Sequence, residues 1–194
     1  MKKAIILFVI FSVFIISNAF CQPFGIEFGM SLEQVRKISK TPPENIEDDW
    51  YIITPPNTHE LFEEYLVQIH RTYGVYFIKA IGKDIRVNRH GTELISRFNS
   101  LVSSVERTYG NYLLIDEIIP ESLYKESQWF MTALERGDRT LVTIWDKDEG
   151  SKLPDDISLI IIAAQATNSF TGYIILEYYS INYSNVKAER DSVF

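Results

Sequence analysis

The last third of the chain constrains the fold most. Three runs rich in Ile, Val, Leu and Tyr follow one another at Arg139–Trp145, Asp156–Ala164 and Gly172–Tyr183. The polar and glycine-bearing breaks Asp146–Asp155 and Ala166–Thr171 separate them. Consecutive strands with breaks this short read as an antiparallel meander. Such a sheet needs a cover for its apolar face, and the sequence just upstream supplies one. Leu94, Phe98, Leu101, Val102, Val105 and Tyr109 fall at the spacing of a single helical face. Thr92 is placed to cap this helix and Gly110 to end it. A weaker helix is expected over Glu126–Arg136.

The first half repeats the order. Ser31 with Gln34 three residues later has capping-box spacing, and Leu32, Val35 and Ile38 continue at helical steps until Pro42–Pro43. Trp50–Thr54 reads as a short strand. Glu64–Arg71 and Val75–Ile81 read as a hairpin turning at Tyr73–Gly74. Residues 31–81 and 92–183 each give α-β-β-β. The fold class expected is therefore α+β: one antiparallel sheet with helices packed on one face, built from two such halves.

The stretch from Phe24 to Val35, with Gly29-Met30-Ser31 ahead of Gln34 and Val35, resembles the helix entry of SmpA/OmlA-type outer-membrane lipoproteins and of β-lactamase inhibitory protein. The α-β-β-β order is similar to that inhibitor's tandem architecture. The resemblance implies an inhibitor-like or envelope-associated binding protein. The inhibitor's repeats are cysteine-bridged, whereas Cys21 is the single cysteine here, so no functional residue carries over beyond the turn.

The N-terminus reads as an export signal over residues 1–21. Lys2 and Lys3 precede the apolar run Ala4–Ile16, and Ala19 offers a small residue for a peptidase. Cleavage is expected before Phe20 or Gln22. Lipidation of Cys21 would want a small residue before it, and Phe20 is large. Residues 22–194 then form a single domain, secreted or periplasmic, with no membrane span once the signal is removed. Removing 1–21 takes two of the 19 basic residues and none of the 26 acidic ones, which leaves a formal charge of −9. That balance disfavours nucleic acid and anionic membrane surfaces as partners.

Motifs for chemistry are weak. His59-Glu60-Leu61-Phe62-Glu63 lacks the second histidine of a zinc-protease helix. Asp146-Lys147-Asp148-Glu149-Gly150 has its glycine one place early for a calcium loop. His70 is expected on a strand surface, His90 in a loop, and Asp48-Asp49 idle in a polar connection. No cofactor, metal site or catalytic residue is assigned. The candidate binding residues are Tyr173, Tyr179 and Tyr183, which alternate onto one side of the last strand. Tyrosine suits interfaces because it combines wide contact area with a polar tip. The function expected is a binding module that takes a protein partner or a second copy on an aromatic sheet face. The rival is a small exported hydrolase with a carboxylate or histidine site.

Overall fold

The computed structural model describes residues 22–192, so the signal reading of residues 1–21 lies outside the described residues. The helix entry forms as its residues dictate. The Ser31 hydroxyl accepts from the Gln34 amide, and the Gln34 side chain accepts from the Ser31 amide at 2.8 Å, which starts α1 (Leu32–Ile38). Gly29, at φ +85°, makes the turn before it. The turn also docks: the Gly29 amide donates to Val75 O and the Val75 amide to Met30 O, both at 2.8 Å. A Cβ at Gly74 would lie 2.2 Å from Gly29 O, so only glycine lets these backbones meet.

Four strands follow: β1 (Glu44–Glu47), β2 (Trp50–Ile53), β3 (Phe62–His70) and β4 (Gly74–Gly82), then the two-residue β5 (Ile85–Arg86). The second half carries α2 (Thr92–Tyr109), β6 (Leu113–Ile118), α3 (Phe130–Glu135), β7 (Arg139–Asp146), β8 (Ile157–Asn168), β9 (Thr171–Ser180) and α4 (Tyr183–Asp191). All nine strands join one antiparallel sheet, ordered β1-β2-β3-β4-β9-β8-β7-β6, with β5 on β9. Each half thus has a helix ahead of a four-strand meander, interrupted in the second half by α3 between β6 and β7, and the final strands of the two meanders meet. The register at that seam pairs Phe77 with Tyr179, Lys79 with Glu177 and Ile81 with Ile175.

The α+β class and the antiparallel sheet are as the sequence implies, and the differences lie at the margins. The helix expected over Glu126–Arg136 is a 3-10 turn at Ser127–Trp129 followed by α3. Gly91, at φ +68°, rather than Thr92, precedes α2, and the Asn88 side chain accepts from the Thr92 amide. The last strand stops at Ser180, three residues before Tyr183, and the chain turns into α4.

One face of the sheet holds the main core. Val35 of α1, Leu94 and Phe98 of α2 and Met131 of α3 are fully buried there, against Ile78, Ile160, Ile162 and Ile174. Burying a side chain of this size contributes about 1.5–3 kcal/mol, so the helical stripe on α2 is a large share of the stabilisation. The Trp145 indole donates to Gly110 O at 3.1 Å and pins the end of α2 to β7. Helices α1–α3 all cover this face. Helix α4 lies on the other.

Candidate interaction surface

The face opposite the main core is assembled by strand register. Residues paired across antiparallel strands point to the same side, so the pairings define three transverse rows. The first runs Ile81, Ile175, Ala163, Val142 and Ile115 across β4, β9, β8, β7 and β6. The second runs Ile52, Leu66, Lys79, Glu177, Ile161 and Ile144, ending at Leu113. The third holds Trp50, Gln68, Phe77, Tyr179 and Leu159.

Helix α4 closes the third row. Val186 packs with buried Tyr76 and Phe77, flanked by Trp50, Tyr73, Tyr179 and Tyr183, as a core separate from the main one. Edge-to-face contacts knit it: Trp50–Phe77 at 5.5 Å and Tyr179–Tyr183 at 4.7 Å between ring centroids. Asp49 anchors the helix. Its carboxylate, 12 % exposed, pairs with Arg190 and accepts from the Tyr76 hydroxyl at 2.6 Å and from Gln68 at 3.3 Å. Asp49 is therefore not the idle carboxylate that its polar surroundings in the sequence suggest. Glu189 meets His70 at 3.5 Å, and His70 stacks on Tyr73. Burial, then the hydrogen bond from Tyr76 to Asp49, pushes the Tyr76 phenol well above the ordinary tyrosine range. Tyr179 is displaced the same way by burial and by its 2.7 Å bond to Glu177. Asp49 holds Arg190 charged.

The first two rows have no such cover. Among the described residues α4 is the one helix on this face, and it sits at the third row. Isoleucine dominates these rows, half-buried by neighbouring side chains. Their centre is polar: Lys79 Nζ lies 3.0 Å from Glu177, which also accepts from Tyr179. Both charges are paired, so the surface is apolar with a neutralised middle. This is how interfaces limit the desolvation cost of their charges.

The three tyrosines do not form one cluster. Tyr173 and Tyr179 share this face, but Tyr173 pairs with Gln165 at the uncovered end. The two lie six positions apart along the strand, roughly 20 Å at about 3.4 Å per residue. Tyr179 and Tyr183 touch each other beneath and within α4. Tyr183 lies beyond the strand, so alternation could not place it. What the tyrosine pattern missed is the isoleucine field between them. Its signal was present as Ile161, Ile175 and Ile144, residues that also fit a strand buried on both sides.

The other sequence candidates take structural places. His59 Nδ1 accepts from the Leu61 amide at 3.2 Å, and β3 begins at Phe62, so no helix forms there. Asp146 accepts from the Asp148 amide at 2.8 Å in the turn before β8. Among the described residues no group of three His, Cys, Asp or Glu is placed to hold a metal ion. Among them, too, no helix is long and apolar enough to cross a membrane. No protein-family model matches the chain, and comparison with curated proteins and with solved structures finds no match.

Proposed function

We propose that this is an exported binding module that takes a protein partner on the uncovered rows of its sheet. One observation carries the reading: two rows, apolar except for the Lys79–Glu177 ion pair, span β4, β9, β8, β7 and β6 with no helix of the described residues over them. An apolar field of this kind on a folded chain marks an interaction site. Export is supported by the n-region, apolar core and small residues of Met1–Cys21. The Gly29-Met30-Ser31 resemblance and the paired helix-plus-four-strand halves accord with an inhibitor-like or envelope-associated role. The hydrolase reading wants a histidine or acid gathered for chemistry. Here His59 and His70 are engaged in local contacts, and Asp49 holds α4.

The test is capture from the native envelope by the purified protein and by its Ile144→Lys/Ile161→Lys variant. Lysine stems reach past a surface while the head stays in water, so the fold is retained. Central apolar contacts often carry about 2 kcal/mol each, so the partner recovered by the parent should be lost. A variant that folds, by circular dichroism, and recovers the same partner in equal amount contradicts the proposal.

A further inference from the structure

The two edges of the sheet are closed very differently. β1 is four residues long, exposed throughout, bulged between Asn45 and Glu47 and preceded by Pro42–Pro43. Short length, charge, bulges and proline are the devices that stop an edge from pairing. β6 has neither a bulge nor a proline along its length, and of these devices it carries only the charges of Asp116 and Glu117. Its six residues pair with β7 without a register shift, and it ends the strand order. In an antiparallel ladder, alternate residues turn their N–H and C=O away from the partner strand. On β6 those groups face no strand among the described residues.

The side chains around this edge are apolar and exposed. Leu113 is 41 % exposed, Leu114 53 %, Ile119 46 % and Leu123 88 %. On the helix face, β6 borders a groove of about 380 Å³ walled by Ile95, Leu114, Phe130 and Leu141, with His90 and Asp116 at its rim. Asp116 is neutralised by Arg139, which also lies over the Phe130 ring. On the opposite face Glu117, paired in register with Thr140, has no ion-pair partner among the described residues.

We propose that β6 accepts an extended segment of a partner protein as a further strand. Its side chains are apolar where they enter the groove and basic where they lie beside Glu117. Main-chain bonds to β6 supply affinity, and the groove with Glu117 supplies selectivity. Charge decides between this occupant and a second copy. Antiparallel pairing of β6 with itself about its acidic end would bring the unpaired Glu117 of both copies together, and like charges across a ladder destabilise it. A basic strand removes that repulsion, and the chain's net negative charge steers it in. The uncovered rows end on this strand at Ile115 and Leu113, but main-chain pairing along its outer edge does not require the rows to be occupied.

The experiment titrates the protein, purified from an exporting host, with three hexapeptides. One alternates valine and lysine, one alternates valine and glutamate, and one is the lysine peptide N-methylated throughout. The lysine peptide should bind on the order of tenfold more tightly than the glutamate peptide. The copy N-methylated along its main chain, which keeps charge and side chains but loses every main-chain N–H donor, should not bind. Glu117→Lys should invert the preference with an unchanged circular dichroism spectrum, and Ile161→Lys should leave the lysine peptide's affinity as it was. Equal binding of the N-methylated copy, equal binding of the glutamate peptide, or no binding at all overturns the proposal. A wild-type dimer in sedimentation that Leu114→Asp splits would give the edge to a second copy instead.

Discussion

Thr143 is fully buried on the core side of β7, between Leu141 and Trp145, and its hydroxyl meets no hydrogen-bond partner among the described residues. A buried hydroxyl without a partner costs about 1–3 kcal/mol. Thr143→Val keeps the shape and removes that cost, so the denaturant midpoint should rise by the equivalent of about 1 kcal/mol. A midpoint that falls would mean that the hydroxyl is satisfied in solution. The phenols of the minor core give a second prediction at this scale. Tyr76 and Tyr179 are both raised above their ordinary value, chiefly by burial and then by the neighbouring carboxylate. A raised folded value favours the neutral phenol in the native state. Its contribution is complete below the unfolded value, about 10, and is lost as pH rises beyond it. Unfolding followed against pH should therefore show stability falling above about pH 10, and Tyr179→Phe should make that fall shallower. An alkaline limb unchanged by the substitution would contradict the assignment.

At the scale of elements, α4 is held by few contacts: Val186 and Tyr183 against Phe77 and Tyr179, with Arg190 on Asp49 and Glu189 on His70. Val186 is 1 % exposed, and placing a carboxylate there costs several kcal/mol unless the helix leaves. Val186→Asp should abolish amide-exchange protection over residues 183–191 while β4 and β9 stay protected. Loss of protection in β9 as well would make α4 part of the main core. The elements legible in the sequence were those with one clean period. The stripe from Leu94 to Tyr109, the capping box at Ser31 and the hairpin through Gly74 all formed. The strands that escaped were the two-residue β5 and, at the edges, β1 and β6. An edge strand is exposed on much of both faces, so Glu44–Glu47 and Leu113–Ile118 lack the alternation that marks a half-buried strand. Helix α4 escaped because Tyr183 continues the apolar count of β9, while its anchor Arg190–Asp49 joins residues far apart in the chain. The candidate surface was half legible. Alternation put Tyr173 and Tyr179 on one side of β9, as the register does, but nothing local says which end of that side a helix will cover.

Across the whole molecule, the two helix-plus-meander halves meet at β4 and β9, and the Lys79–Glu177 pair lies in the middle of that seam. Joining the halves there makes one continuous sheet, and α1–α3 fill one face of it. The remaining face draws on both halves, the larger share from β6–β9, with α4 at one end and isoleucine rows over the rest. Recognition of a partner on this uncovered face is the central proposal, and a photo-crosslinking amino acid tests it directly. In the cells that make the protein, the crosslinker placed at Ile161 should yield a discrete covalent adduct with another protein. Placed at Ser103, on the solvent side of α2, it should yield none. Folded protein with no adduct from Ile161, or with the same adduct from both positions, would contradict the account.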